Sequence, residues 1–176
     1  MENKTTQEEL FNDGKYKMLA VSSGEAHHRK LSCKTDGVCI IPFETSNDQI
    51  SKVYLQDSTD YVSEQTFNTA ITFESTHSEG SEFVEVSKGI EDSLGIKDID
   101  INSVFFLGKI KHNFPFKKSY RCYGVKMDSH SSESDGFKLD ESKKIVKVNF
   151  NKVIGNGEVH DSLCLAGSLL LISYLR

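Results

Sequence analysis

Residues 38–43 read Val-Cys-Ile-Ile-Pro-Phe and are entered by the turn signal Asp36-Gly37. Four apolar residues in succession imply a strand covered on both faces, because a strand with one wet face alternates apolar and polar side chains. Pro42 has no N–H to give to a ladder, which places the end of this run at a sheet edge or a strand terminus. Residues 81–94 add a second constraint. Phe83, Val86 or Ser87, Ile90 and Leu94 recur at three- and four-residue steps, the period of a helix with one apolar stripe. Ser81 suits the N-cap, Glu82 and Glu85 fall in the first turn where the helix dipole favours acids, and Gly95 suits the C-cap. A buried strand and an amphipathic helix in one short chain point to the α/β class.

The rest of the chain fits that class. Strands are expected at 16–21, 50–55, 69–73, 103–110, 119–127 and 144–150. Polar loops are expected around 45–49, 57–63 and 113–115. Asp161 or Ser162 should cap a final, strongly apolar helix running to Tyr174-Leu175-Arg176. Residues 1–15 are polar and acidic and read as an arm, residues 16–176 as the domain, and the Ser- and Asp-rich residues 128–142 as a surface loop. His27-His28-Arg29-Lys30 reads as loop. The two histidines could touch a metal or a phosphate, but neighbouring side chains diverge in either regular structure.

With 176 residues the chain is sized for one domain. A net charge of -5 supplies no basic field for nucleic acid. The small cluster Lys109, Lys111, Lys117 and Lys118, interleaved with Phe114 and Phe116, reads as a solvated hairpin end. Cys33, Cys39, Cys122 and Cys164 have neither C-x-x-C nor metal-ligand spacing, and three of them sit in apolar runs as reduced thiols do. The apolar stretch 163–175 is too short to cross a bilayer, which takes about 20 residues. A soluble, reducing, cytoplasmic setting is expected.

The order of elements, with Gly37–Phe43 (G-V-C-I-I-P-F), Ser78–Ile96 (S-E-G-S-E-F-V-E-V-S-K-G-I-E-D-S-L-G-I), Val104–Ile110 (V-F-F-L-G-K-I) and Asp161–Leu171, is similar to the Nudix hydrolase domain. The resemblance implies an α/β/α sandwich with a mixed sheet and a C-terminal apolar helix. The family signature is G-x5-E-x7-R-E-U-x-E-E-x-G-U, in which three helix glutamates gather divalent cations that bridge a diphosphate and activate water. Anchored on Gly95-Ile96, the Arg-Glu pair becomes Lys88-Gly89 and the Glu-Glu pair becomes Asp92-Ser93. The upstream glutamate falls on Gly80 and the first glycine on Glu74. Of the three ligands only Asp92 remains, so the motif is degenerate. A shifted Mg2+ site is the alternative: Glu82, Glu85 and Asp92 share a helix face, with Glu91 beside them. The plainer reading of those four is a solvated face. Gly89 costs a helix interior about 1 kcal/mol against alanine, so it marks relaxed selection or a close packing contact.

Other chemistry is poorly supported. Gly155-Asn156-Gly157 is followed by Glu158, Val159 and His160 and fails the dinucleotide fingerprint, and no P-loop or nucleophile elbow is present. His160-Asp161 reads as a helix cap. The sequence therefore predicts a non-catalytic Nudix-fold protein with no cofactor and no confident catalytic or metal residue. It would act as a structural or protein-interaction module through residues 1–14, 113–118 or 128–142. Its eroded enzyme fold and Lys-, Asn- and Ser-rich composition are similar to bacteriophage virion and tail proteins. The alternatives are a divergent Mg2+-dependent hydrolase of a nucleoside diphosphate derivative, using Glu82, Glu85, Glu91 and Asp92, and a nucleotide-binding sensor without turnover. If the helix frame survives for folding alone, Gly89→Glu with Ser93→Glu should leave the fold intact.

Overall fold

The computed structural model describes residues 5–13, 16–23, 26–33, 36–59, 66–75, 82–112, 118–127, 144–155 and 161–175. These form strands β1 (Thr5–Asn12), β2 (Tyr16–Ser23), β3 (Ala26–Cys33), β4 (Gly37–Ser46), β5 (Gln49–Thr59), β6 (Thr66–Thr69) and β7 (Ile71–Glu74), then helix α1 (Glu82–Leu94). Strands β8 (Val104–His112), β9 (Lys118–Lys126) and β10 (Ile145–Asn149) follow, then helices α2 (Phe150–Gly155) and α3 (Ser162–Tyr174).

The buried run becomes β4, the middle strand of a mixed sheet ordered β10-β5-β4-β9-β8, in which β4 and β9 are parallel and the other neighbours antiparallel. Alternate β4 residues serve two cores. Val38 and Ile40 join Tyr54, Tyr123 and Val125 under Val86, Ile90 and Leu94 of α1. Cys39, Ile41 and Phe43 join Val53, Leu55 and Cys122 under α2 and α3. This is why the strand has no polar alternation, and each large side chain so buried stabilises the fold by roughly 1.5–3 kcal/mol. The result is an α/β/α sandwich with a mixed sheet and an apolar closing helix.

Pro42 is not at an edge or a terminus. On one side β4 pairs first with β7, through Gly37–Ile40, and then with β5, from Phe43. Pro42 falls in the interval between the two partners, where a missing N–H interrupts no antiparallel pair. Opposite it, the β4–β5 hairpin turns at Asn47 and Asp48 with φ of 53° and 59°, the positive pair that a two-residue hairpin loop requires.

Other sequence expectations are corrected. Residues 5–12, read as part of an arm, are the outer strand of an antiparallel β1-β2-β3 sheet. Between β1 and β2, Asp13 Oδ1 accepts the Tyr16 N–H at 2.6 Å. The His27–Lys30 cluster lies within β3, not in a loop, and His27 Nδ1 meets Ser22 Oγ at 2.8 Å. Strand β5 runs on to Thr59, and the strand expected at 69–73 is two, β6 and β7, broken at Ala70. Phe150 opens a short helix instead of closing β10. On α1 the buried stripe is Val86, Gly89, Ile90 and Leu94, with Phe83 only half-buried. The docking loop at 113–117 and the loop at 128–142 lie outside the described residues. Among the described residues no helix is long and apolar enough to cross a membrane.

Candidate functional site

The face of α1 that carries Glu82 and Glu85 is turned toward β9. Arg121, in the middle of that strand, is 6% exposed. Its Nη1 donates to Glu82 Oε1 at 2.9 Å, and its Nη2 donates to Glu85 Oε2 and to Ser75 Oγ, each at 2.7 Å. The Tyr123 hydroxyl donates to the other Glu82 oxygen at 3.1 Å. Burial works against the guanidinium charge, and the hydrogen bonds it donates to Glu82 and Glu85 more than offset it, holding Arg121 above its usual pKa. Burial first and the Glu82 carboxylate second push the Tyr123 hydroxyl up to about 12. Two of the four candidate carboxylates are thus drawn together around a cation that belongs to the chain.

The other two lie outside this cluster, although Asp92 shares a cleft with Glu85. Glu91 is exposed and lies 3.8 Å from Lys97. Asp92 is exposed and borders a cleft of about 220 Å³ with Phe73, Glu74, Glu85, Lys88, Gly89 and Ser93. This cleft holds the positions that the Nudix signature assigns to metal ligands, and Phe73 closes it from the sheet. A Cβ built on Gly89 would lie 2.1 Å from Cε1 of the Phe73 ring. Gly89 is therefore a close packing contact, and a glutamate there must displace the Phe73 ring, so the expectation that Gly89→Glu with Ser93→Glu leaves the fold intact turns on whether that ring can move aside.

Among the described residues, the signature positions offer a divalent ion few ligands. One signature position has no side chain and faces an aromatic ring, and a second offers the neutral hydroxyl of Ser93. Glu85, the nearest alternative, is 8% exposed and bound to Arg121. Of the three signature positions Asp92 alone carries a charge, and a divalent ion needs negative charge to replace the water it sheds. Among the described residues no group of three or more His, Cys, Asp or Glu converges in a way that could hold a metal.

Asp161 is a cap, accepting from the N–H groups of Leu163 at 3.1 Å and Cys164 at 3.2 Å. It also accepts from the Ala70 N–H at 3.1 Å, fastening the β6–β7 break to α3. His160 lies outside the described residues. Cys39, Cys122 and Cys164 are free thiols buried in the core under α3.

Sequence reasoning missed Arg121 and Phe73. Arg121 had a legible signal, since it is the one charge inside S-Y-R-C-Y-G-V and a charge in a buried strand needs a counter-charge. Its partners are 39 and 36 residues away, so the pairing itself was not readable.

No family model matches the sequence, and no curated protein does. Solved structures do match. An ADP compounds hydrolase aligns with a TM-score of 0.62 at 12% identity over 98% of this chain and 94% of its own, a span that takes in the β1–β3 sheet. The C-terminal domain of mouse MUTYH, solved in complex with human PCNA, aligns at TM-score 0.55 and 9% identity over 80% of this chain and 89% of its own. A mutT/nudix family protein from Listeria innocua aligns at TM-score 0.55 and 11% identity over 80% and 95%. At such identities the likeness concerns the fold alone, and on that evidence this chain has the fold of the Nudix hydrolases.

Proposed function

We propose that this chain is a Nudix-fold protein that does not hydrolyse nucleotides and acts as a structural or protein-interaction module in a multi-subunit assembly. A bacteriophage virion or tail is one such setting. The observation that carries the reading is the Phe73 ring lodged against Gly89, where a hydrolase of this fold needs a metal-binding glutamate. The engagement of Glu82 and Glu85 by Arg121 supports it from the other end of the helix. Helix α3 keeps apolar side chains on its outer side as well, with Leu165 and Leu169 41% and 53% exposed, and outward-facing apolar groups favour a protein partner. The fold is also compatible with this use, since the MUTYH domain was solved bound to another protein.

A nucleotide sensor is less well supported. The cleft at Gly89 is smaller than the roughly 300 Å³ at which small-molecule pockets begin. The larger cleft across α1, about 610 Å³, presents Glu91, Asp92 and Asp98 with Lys88 as its cation, a poor lining for phosphates.

The test combines turnover with association. The purified protein, with Mg2+ or Mn2+ and a panel of nucleoside diphosphate derivatives, should release no product above background. From its native source it should co-purify with other proteins. Turnover on the order of 1 s⁻¹ that Asp92→Asn abolishes overturns the reading in favour of a divergent hydrolase.

A further inference from the structure

Helices α1 and α3 are both 13 residues long and cover opposite faces of the same sheet, yet their outer sides differ. On α1 the exposed residues include Lys88, Glu91 and Asp92, which water solvates readily. Residues 162–175 hold no Asp, Glu, Lys, Arg or His. On the outer side of α3 Leu165 and Leu169 stand exposed, with Ala166 and Ile172 half-buried beside them. A helix that is apolar all round is normally covered all round. The hydroxyl of Ser173, at the end of this stripe, already donates to the Leu169 carbonyl oxygen at 3.0 Å. Covering the stripe therefore leaves that hydroxyl satisfied.

We propose that this stripe is the contact through which two copies of the chain associate, α3 of one packing antiparallel on α3 of the other. The proposal rests on the reading of the chain as a protein-interaction module and adds the partner. Charge selects the occupant. A partner with a charged surface would have to bury its charges against leucine, which costs free energy with nothing to offset it. What fits is an uncharged apolar face of the same length, and α3 is itself such a face. Each copy carries a net charge of -5, so two copies repel at long range. The side of α3 without charge is where they can meet with no like charges in contact. The spacing is self-complementary as well. Leu165, Leu169 and Ser173 recur at four-residue steps and form one ridge. An antiparallel pairing centred on Leu169 brings the two Leu169 side chains together at the two-fold axis. Leu165 of each copy then lies over Ser173 of the other, large against small.

Sedimentation equilibrium of the full chain, from about 1 to about 200 μM where small interfaces dissociate, should show the mass rising from 19.8 kDa toward twice that value. Leu169→Lys sets two like charges at the axis and should weaken association about tenfold or more, with an unchanged melting temperature. Val84→Lys, at an α1 residue that is still more exposed, should leave association unaltered. Raising salt from about 20 to about 500 mM should tighten the dimer, because screening removes the repulsion between acidic copies and no ion pair is lost. If Leu169→Lys does not fold, Leu165→Ser makes the same test by removing apolar contact. A chain that stays monomeric throughout overturns the proposal. So does a dimer that Leu169→Lys leaves as tight, that Val84→Lys weakens equally, or that salt loosens. A monomer that still co-purifies with other proteins overturns the second copy and leaves the functional reading in place. Hydrolysis by a chain that dimerises as described removes that reading alone, so the two failures can be told apart.

Discussion

The ring of Phe73 lies where a side chain on Gly89 would have to start, with Cε1 at 2.1 Å and Cζ at 2.3 Å from the Cβ position. A helix interior normally gains about 1 kcal/mol when glycine becomes alanine. Here the added methyl meets an aromatic ring packed between helix and sheet, and overpacking costs about 1–3 kcal/mol. Gly89→Ala should therefore destabilise the protein, and Gly89→Glu should do so more strongly. In a Phe73→Ala background Gly89→Ala should recover its helical gain and become stabilising. Urea denaturation of the four proteins checks this, since residues in contact couple by about 0.5–3 kcal/mol. Alanine stabilising the unmodified protein would mean that the ring moves aside freely.

The two carboxylates on Arg121 should behave unequally. Glu85 is buried with its partner, and breaking a buried pair by neutralising one side costs about 3–5 kcal/mol because the remaining charge is stranded. Glu82 is more than half exposed, and its pairing should be worth about 1 kcal/mol or less. Chemical denaturation of Glu85→Gln and Glu82→Gln should rank them in that order. Equal losses would mean that water reaches both sides of the guanidinium.

Much of the frame was legible because its signals are local. The unbroken V-C-I-I run of β4 announced a strand with two cores, and the stripe from Val86 to Leu94 with Gly95 behind it announced α1. Gly95 does take the left-handed conformation, at φ 73°. Of the N-terminal sheet β2 was expected, at 16–21, but β1 and β3 were misread because strands such as T-T-Q-E-E-L-F-N are polar and lack the apolar alternation by which strands are recognised. At the site, aligning the sequence to the signature put a glycine at 89 and a serine at 93 where the signature has glutamates. What filled the space could not, because Phe73 and Arg121 reach α1 from strands far off in sequence. The helix spacing of Glu82 and Glu85 correctly put them on one face, and only the fold decided that the face met an arginine.

Asp161 joins two elements through one carboxylate. Its oxygens take the first N–H groups of α3 and, 91 residues back, the N–H of Ala70 at the β6–β7 break. Losing a helix cap costs about 0.5–2 kcal/mol, and leaving a partly buried N–H unsatisfied adds about 1–3. Asp161→Ala should cost more than an ordinary cap. Amide hydrogen exchange should accelerate at Ala70 as well as at Leu163 and Cys164. Acceleration confined to α3 would mean that the Ala70 bond contributes nothing.

Alkaline pH should expose the buried acids of the two cores. Burial, with Asp161 nearby, pushes the Cys164 thiol up to about 12 from an ordinary 9.0. The Cys122 hydrogen bond and burial push Cys39 well above the same value, and Tyr123 is pushed to about 12 from 10.0. All three groups are neutral when protonated. Below pH 9 both the folded and unfolded chains hold these protons, so stability does not depend on them. From pH 9 upward the unfolded chain releases thiol protons, and from pH 10 the tyrosine proton, while the folded chain keeps them. Stability must then fall, by about 1.4 kcal/mol per pH unit for each group so held, until the pKa of that group in the folded chain is passed. Urea midpoints measured from pH 7 to 11 should be flat to about pH 9 and decline beyond it. Cys164→Ala should start lower, because it leaves a small cavity, yet decline less steeply. An unchanged slope in that variant would mean that the thiol already ionises within the folded core, and that the packing of α3 on β4 and β9 admits water.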